Sequence, residues 1–132
     1  MPDRDWDIVR SLFRPGKKKL PMEKFLSKIS ISDVTETNFR ETTLLHFVAW
    51  TGFVDLANML ISKGANVNAK SFSHWTPLHT AARGGHLELI KFLIANGADV
   101  NARTKRGNTP LGAARTSGKG KAVILLRSFG GK

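Results

Sequence analysis

T-P-L-H-T-A-A-R-G-G-H-L-E-L-I-K-F-L-I-A-N-G-A-D, from Thr76 to Asp99, is one copy of a pattern that the chain writes three times. Thr76-Pro77-Leu78-His79 has Thr43-Leu44-Leu45-His46 33 residues before it and Thr109-Pro110-Leu111-Gly112 33 residues after it. The same interval relates Gly52, Gly85 and Gly118; Leu60, Leu93 and Leu126; Gly64, Gly97 and Gly130; Val67 and Val100; and Asn68 and Asn101. Self-similarity at a fixed period of this length signals a stack of like units, each too small to bury its own apolar face.

Inside the unit, Thr76 can cap a helix whose first interior residue is Pro77, a position where a missing N–H costs nothing. Gly84 and Gly85 stop that helix. Leu87, Ile90, Leu93 and Ile94 then share one face of a second helix, widened by Leu89 and Phe92, with Glu88 and Lys91 outward. Gly97 suits a left-handed C-terminal cap, and the polar stretch from Asp99 to Asn108 reads as a projecting hairpin.

T-P-L-H-x-A at a 33-residue period, followed by G-H-L-E-L-I-K-F-L-I and G-A-D-V-N, resembles the ankyrin repeat. The resemblance implies an all-α solenoid of stacked helix-turn-helix units with short projecting β-hairpin loops. It divides the 132 residues, as a single domain, into a degenerate N-terminal capping repeat (1–37), repeat 1 (38–70), repeat 2 (71–103) and a degenerate C-terminal repeat (104–132).

The opening segment fits a cap. Trp6 or Ile8, Val9, Leu12 and Phe13 fall at helical spacing, as do Met22, Phe25, Leu26 and Ile29. Between them, Lys17-Lys18-Lys19, flanked by Pro15, Gly16 and Pro21, reads as a solvated loop. The last repeat is the damaged one. Gly112 replaces the histidine of the other copies, Ser117-Gly118-Lys119-Gly120-Lys121 is glycine-rich, and Ile124 occupies the outward position of Asn58 and Lys91. An apolar side chain there points to a covered helix, by self-association, by a partner or by further chain of a longer protein.

Composition narrows the function classes. The chain has no cysteine, so disulfides and thiolate metal sites are excluded. Met1-Pro2-Asp3-Arg4-Asp5 is too polar to open a signal peptide, and no apolar run approaches membrane-spanning length, so the expectation is an intracellular chain, cytoplasmic or nuclear, without membrane insertion. The formal net charge is +11, and the interval from Arg103 to Lys132 holds eight cations and no acid. Such a field favours acidic partners.

Chemistry finds little to work with. His46, His79 and His86 occupy positions that the ankyrin pattern uses structurally, and no clustered carboxylate joins them or His74, so no metal or other cofactor is expected. Gly112 to Lys119 lacks the spacing, the Ser or Thr, and the preceding strand of a phosphate-binding loop. Asp55, Glu88 and Asp99 spread along the stack instead of converging on one substrate atom, and no catalytic site is expected. In ankyrin-like proteins the loop tips and inner helix surfaces form the binding groove. Carried over to this chain, that selects Phe39, Arg40, Trp50, Phe72, Trp75, Arg83, Lys105 and Arg106, with Thr42, Ser73, Asn108 and Thr116 beside them. Exposed aromatics next to arginine are typical interface anchors. The expected function is non-catalytic recognition of an acidic protein partner. Nucleic-acid binding through the basic end and stacked aromatics, or a targeting role within a larger effector or enzyme, are the alternatives.

Overall fold

A computed structural model describes residues 43–132 of the chain, and within them the fold is six helices with no strand. They are α1 (Leu44–Thr51), α2 (Val54–Ser62), α3 (Pro77–Gly84), α4 (Leu87–Ala95), α5 (Pro110–Thr116) and α6 (Gly120–Ser128). The inner helices α1, α3 and α5 pack side by side, as do the outer helices α2, α4 and α6. Three helix pairs therefore make two layers. The 1–37 segment, the Lys17–Lys19 loop, Phe39, Arg40, Glu41 and Thr42 lie outside the described residues.

Each inner helix begins at the threonine that the repeat pattern selects. The Thr43, Thr76 and Thr109 side chains accept from the backbone N–H of His46, His79 and Gly112. Leu44 in place of proline leaves the first cap intact. The αL glycines Gly52 and Gly85 end α1 and α3 and turn the chain into the outer helices.

The core runs unbroken through the stack, with Leu44, Leu45, Val48, Leu60, Leu78, Leu89, Ile90, Leu93, Leu111 and Leu126 essentially inaccessible to water. On α4 the most buried stripe is Leu89, Ile90 and Leu93, while Leu87, Phe92 and Ile94 pack at its margins. That shifts the buried face from the expected centre, because α4 is covered by α3 on one side and by α2 and α6 on the others.

Consecutive repeats are fastened by side chains that reach across. His46 Nε2 lies 2.8 Å from the Trp75 carbonyl and His79 Nε2 2.8 Å from the Asn108 carbonyl. Asn68 holds the Gly97 carbonyl (3.0 Å) and the Asp99 N–H (2.8 Å), and Asn101 holds the Gly130 carbonyl (3.2 Å) and the Lys132 N–H (2.9 Å). The His86 ring fills a slot between Gly52 and Gly84, where a Cβ at either glycine would collide with it, and its Nε2 lies 3.0 Å from the Trp50 carbonyl.

The third inner helix has no such histidine. Gly112 carries no ring, and the Thr109 hydroxyl donates to the Lys132 carbonyl at 2.6 Å instead. A Cβ at Gly112 would meet only Thr109 Oγ1, at ordinary contact distance. Gly112→Ala is therefore expected to stabilise the protein by about 1 kcal/mol through helix propensity and a less flexible unfolded chain. Thermal denaturation checks it: the midpoint should rise by about 4 °C, and a fall would mean that the added methyl does not fit beside Thr109.

Candidate functional site

The loops between helix pairs are tight turns. In the first, Ser71 N–H donates to the Trp75 carbonyl at 2.9 Å and His74 N–H to the Ser71 carbonyl at 2.8 Å. In the second, Thr104 and Asn108 pair at 3.0 Å and Gly107 N–H reaches the Thr104 carbonyl at 2.8 Å. The arms are too short to add further rungs, so the expected hairpins are present as hydrogen-bonded turns without strands. His74 and Gly107 hold the same place, with φ of 62° and 80°. Histidine there accepts a backbone geometry that glycine adopts freely.

The two turns are joined. Lys105 N–H donates to the Ser73 carbonyl at 3.0 Å, and the Lys105 ammonium stands 4.9 Å from the centre of the Phe72 ring. Phe72 is 67% exposed, so this cation–aromatic pair faces solvent. Arg106 is exposed beside it, and the Arg103 guanidinium lies over Gly107.

Below the tips, the C-terminal ends of α1, α3 and α5 present Trp50, Arg83 and Thr116 at equivalent positions, all exposed. Trp50 is 57% accessible. Because the three helices lie side by side, these residues form a row on the inner layer. Of the residues expected to bind, Trp50, Phe72, Arg83, Lys105 and Arg106 are thus available to a partner, while Phe39 and Arg40 fall outside the described residues.

Trp75 differs from the expectation of a free tip residue. It is half-buried, its indole N–H donates to Thr80 Oγ1 at 2.8 Å, and its ring packs on His79 with centroids 4.9 Å apart. The Trp75 carbonyl is also the acceptor for His46. It keeps some exposure, but these contacts make it part of the frame. Thr80 is the residue that sequence reading does not single out. Its counterparts Phe47 and Ala113 carry no hydroxyl, and that variation within a repeat position is the signal available.

Electrostatics separate frame from surface. His46 and His79 are buried, and burial holds both imidazoles below the ordinary histidine range, against the raising effect of their carbonyl partners. In each, the backbone N–H of the capping threonine donates to Nδ1 at 3.2 Å, which places the proton of the neutral ring on Nε2. They are therefore caps and fasteners. Among the described residues no group of three or more His, Asp or Glu is arranged to hold a metal ion, and no helix is long and apolar enough to cross a membrane. The exposed groove side chains are aromatic, cationic and hydroxylic, a set suited to binding.

Comparison with protein families matches residues 45–131 to ankyrin repeats, in three copies. No curated protein matches the chain.

Proposed function

The chain belongs to the ankyrin-repeat family, whose members are generally protein–protein interaction modules and typically non-catalytic, and from that premise we propose that it is a non-catalytic module binding an acidic protein segment along the inner row and turn tips. The observation that carries this reading is the exposed set of Trp50, Phe72, Arg83, Lys105 and Arg106 on rigid, mutually hydrogen-bonded elements. Aromatic side chains supply apolar area at low entropic cost, and the cations supply attraction and register. We count Phe39 and Arg40 among the binding residues as well, and we assign the module to the inside of the cell. Ile124 gives the chain a second, separate surface for association with another copy.

The test uses a partner captured by the wild-type chain from its source lysate and identified. Trp50→Ala with Arg83→Ala should weaken binding by about a hundredfold, the range of a two-residue anchor. Both side chains are exposed, so the fold stays intact by circular dichroism. Unchanged affinity sinks the groove assignment. Trp75 is the wrong residue for this test, because its loss also disturbs Thr80 and His79. Labelled oligonucleotides serve as the rival ligand. Binding that persists at physiological salt and falls with Phe72→Ala would favour the nucleic-acid reading, whereas binding confined to low salt reflects a generic cationic field.

A further inference from the structure

The outer helices carry a row of equivalent positions in which the third repeat reverses the chemistry of the first two. Asp55 on α2 and Glu88 on α4 are followed by Lys121 on α6, and Asn58 and Lys91 are followed by Ile124. All six side chains are exposed, and Ile124, at 70%, is the most accessible of the large apolar residues among those described. On α4 the acid and the base of the row meet each other, Lys91 Nζ lying 3.2 Å from Glu88 Oε1.

Charge limits how two copies can meet. Residues 43–132 contain twelve Lys and Arg against three acids, Asp55, Glu88 and Asp99, so most of that surface repels its own kind. Two of the three acids lie in the outer row, the same row that exposes Ile124. A parallel approach of two copies would set Asp55 on Asp55 and Lys121 on Lys121. An antiparallel two-fold approach sets α6 on the α2 of the other copy and answers each Lys121 with an acid.

We propose that the outer face is a self-association surface, on which two copies meet back to back and antiparallel, Lys121 opposite the partner's Asp55 at both ends and Ile124 against the apolar flank of the partner's α2. On that flank Met59, one turn after Asp55, borders the exposed row and is only partly buried in the single chain. At the two-fold axis α4 meets its own copy, and the Lys91–Glu88 pair within each helix offsets the acid brought together there. The arrangement is closed and isologous, the commonest form for a homodimer. It rests on reading Ile124 as a self-association residue, and it adds the surface that Ile124 meets and the register. The groove lies on the opposite layer and stays open.

Sedimentation equilibrium of the full chain, from micromolar to near-millimolar concentration, tests it. The wild type should show a monomer–dimer equilibrium that Ile124→Asp abolishes and that Trp50→Ala with Arg83→Ala leaves unchanged. Lys121→Glu or Asp55→Lys alone should weaken dimerisation by about tenfold, since each change replaces two symmetry-related exposed attractions with repulsions. The double exchange, Asp55→Lys with Lys121→Glu, should restore it. A wild type that stays monomeric throughout, or a dimer indifferent to Ile124→Asp, overturns the association itself. A dimer lost in Ile124→Asp but not rescued by the charge exchange overturns the antiparallel register while leaving Ile124 in an interface.

Discussion

His79→Ala is expected to cost about 3 kcal/mol or more of folding stability, a large share of the roughly 5–15 kcal/mol that holds a domain of this size. The ring is fully buried and satisfies three groups at once. The Thr76 N–H and hydroxyl meet Nδ1 at 3.2 and 2.8 Å, and Nε2–H donates to the Asn108 carbonyl in the next repeat at 2.8 Å. Alanine leaves a buried backbone donor without its acceptor and a carbonyl without its donor, each costing about 1–3 kcal/mol when water cannot reach it, and adds a cavity beneath Trp75. Urea denaturation measures the loss. A cost below about 1 kcal/mol would mean that water enters and replaces the ring, and that the link between the second and third repeats is weaker than its geometry implies.

Acid should weaken the protein through the same two side chains. His46 and His79 have their pKa lowered by desolvation, so the folded state resists a proton that the unfolded chain accepts below about pH 6.5. The unfolded state therefore binds more protons in that range, and stability falls as pH drops from the unfolded value toward the depressed folded values. Above that window both rings are neutral in either state and contribute their full stability. The slope can reach about 1.4 kcal/mol per pH unit for each ring that remains neutral in the fold. Protonation at Nδ1 would also turn a hydrogen toward the Thr43 or Thr76 N–H that now donates to it. Denaturation midpoints at a series of pH values test this, and removing one histidine should shallow the slope. A stability flat between pH 7.5 and 5 would contradict it.

The stacking architecture was legible because its determinants are local and repeated. A threonine three residues before a histidine, a proline at the first helical position and a glycine at a left-handed turn each act within a few residues, and the 33-residue interval ties them together. The damage at Gly112 and the outward place of Ile124 came from the same register. Less legible was whatever depends on a contact between repeats. Trp75 looks free in the sequence, and only the position of Thr80 one helical turn inside the next helix shows what holds its indole. The slot that seats His86 between Gly52 and Gly84 joins residues separated by more than thirty positions. In the row of Asp55, Glu88 and Lys121 the register gives the two acids as surface residues, and what the structure adds is Lys121, exposed in the same row.

The fasteners between repeats mostly point one way. His46, His79, Asn68 and Asn101 each belong to an earlier repeat and grip the backbone of the following one, whereas His86 and the Lys105 N–H reach back. A ribosome releases the chain in that same order. Each newly emerged repeat thus meets a template whose grips are already set, and the stack can grow by accretion, unit on unit, without waiting for its final residues.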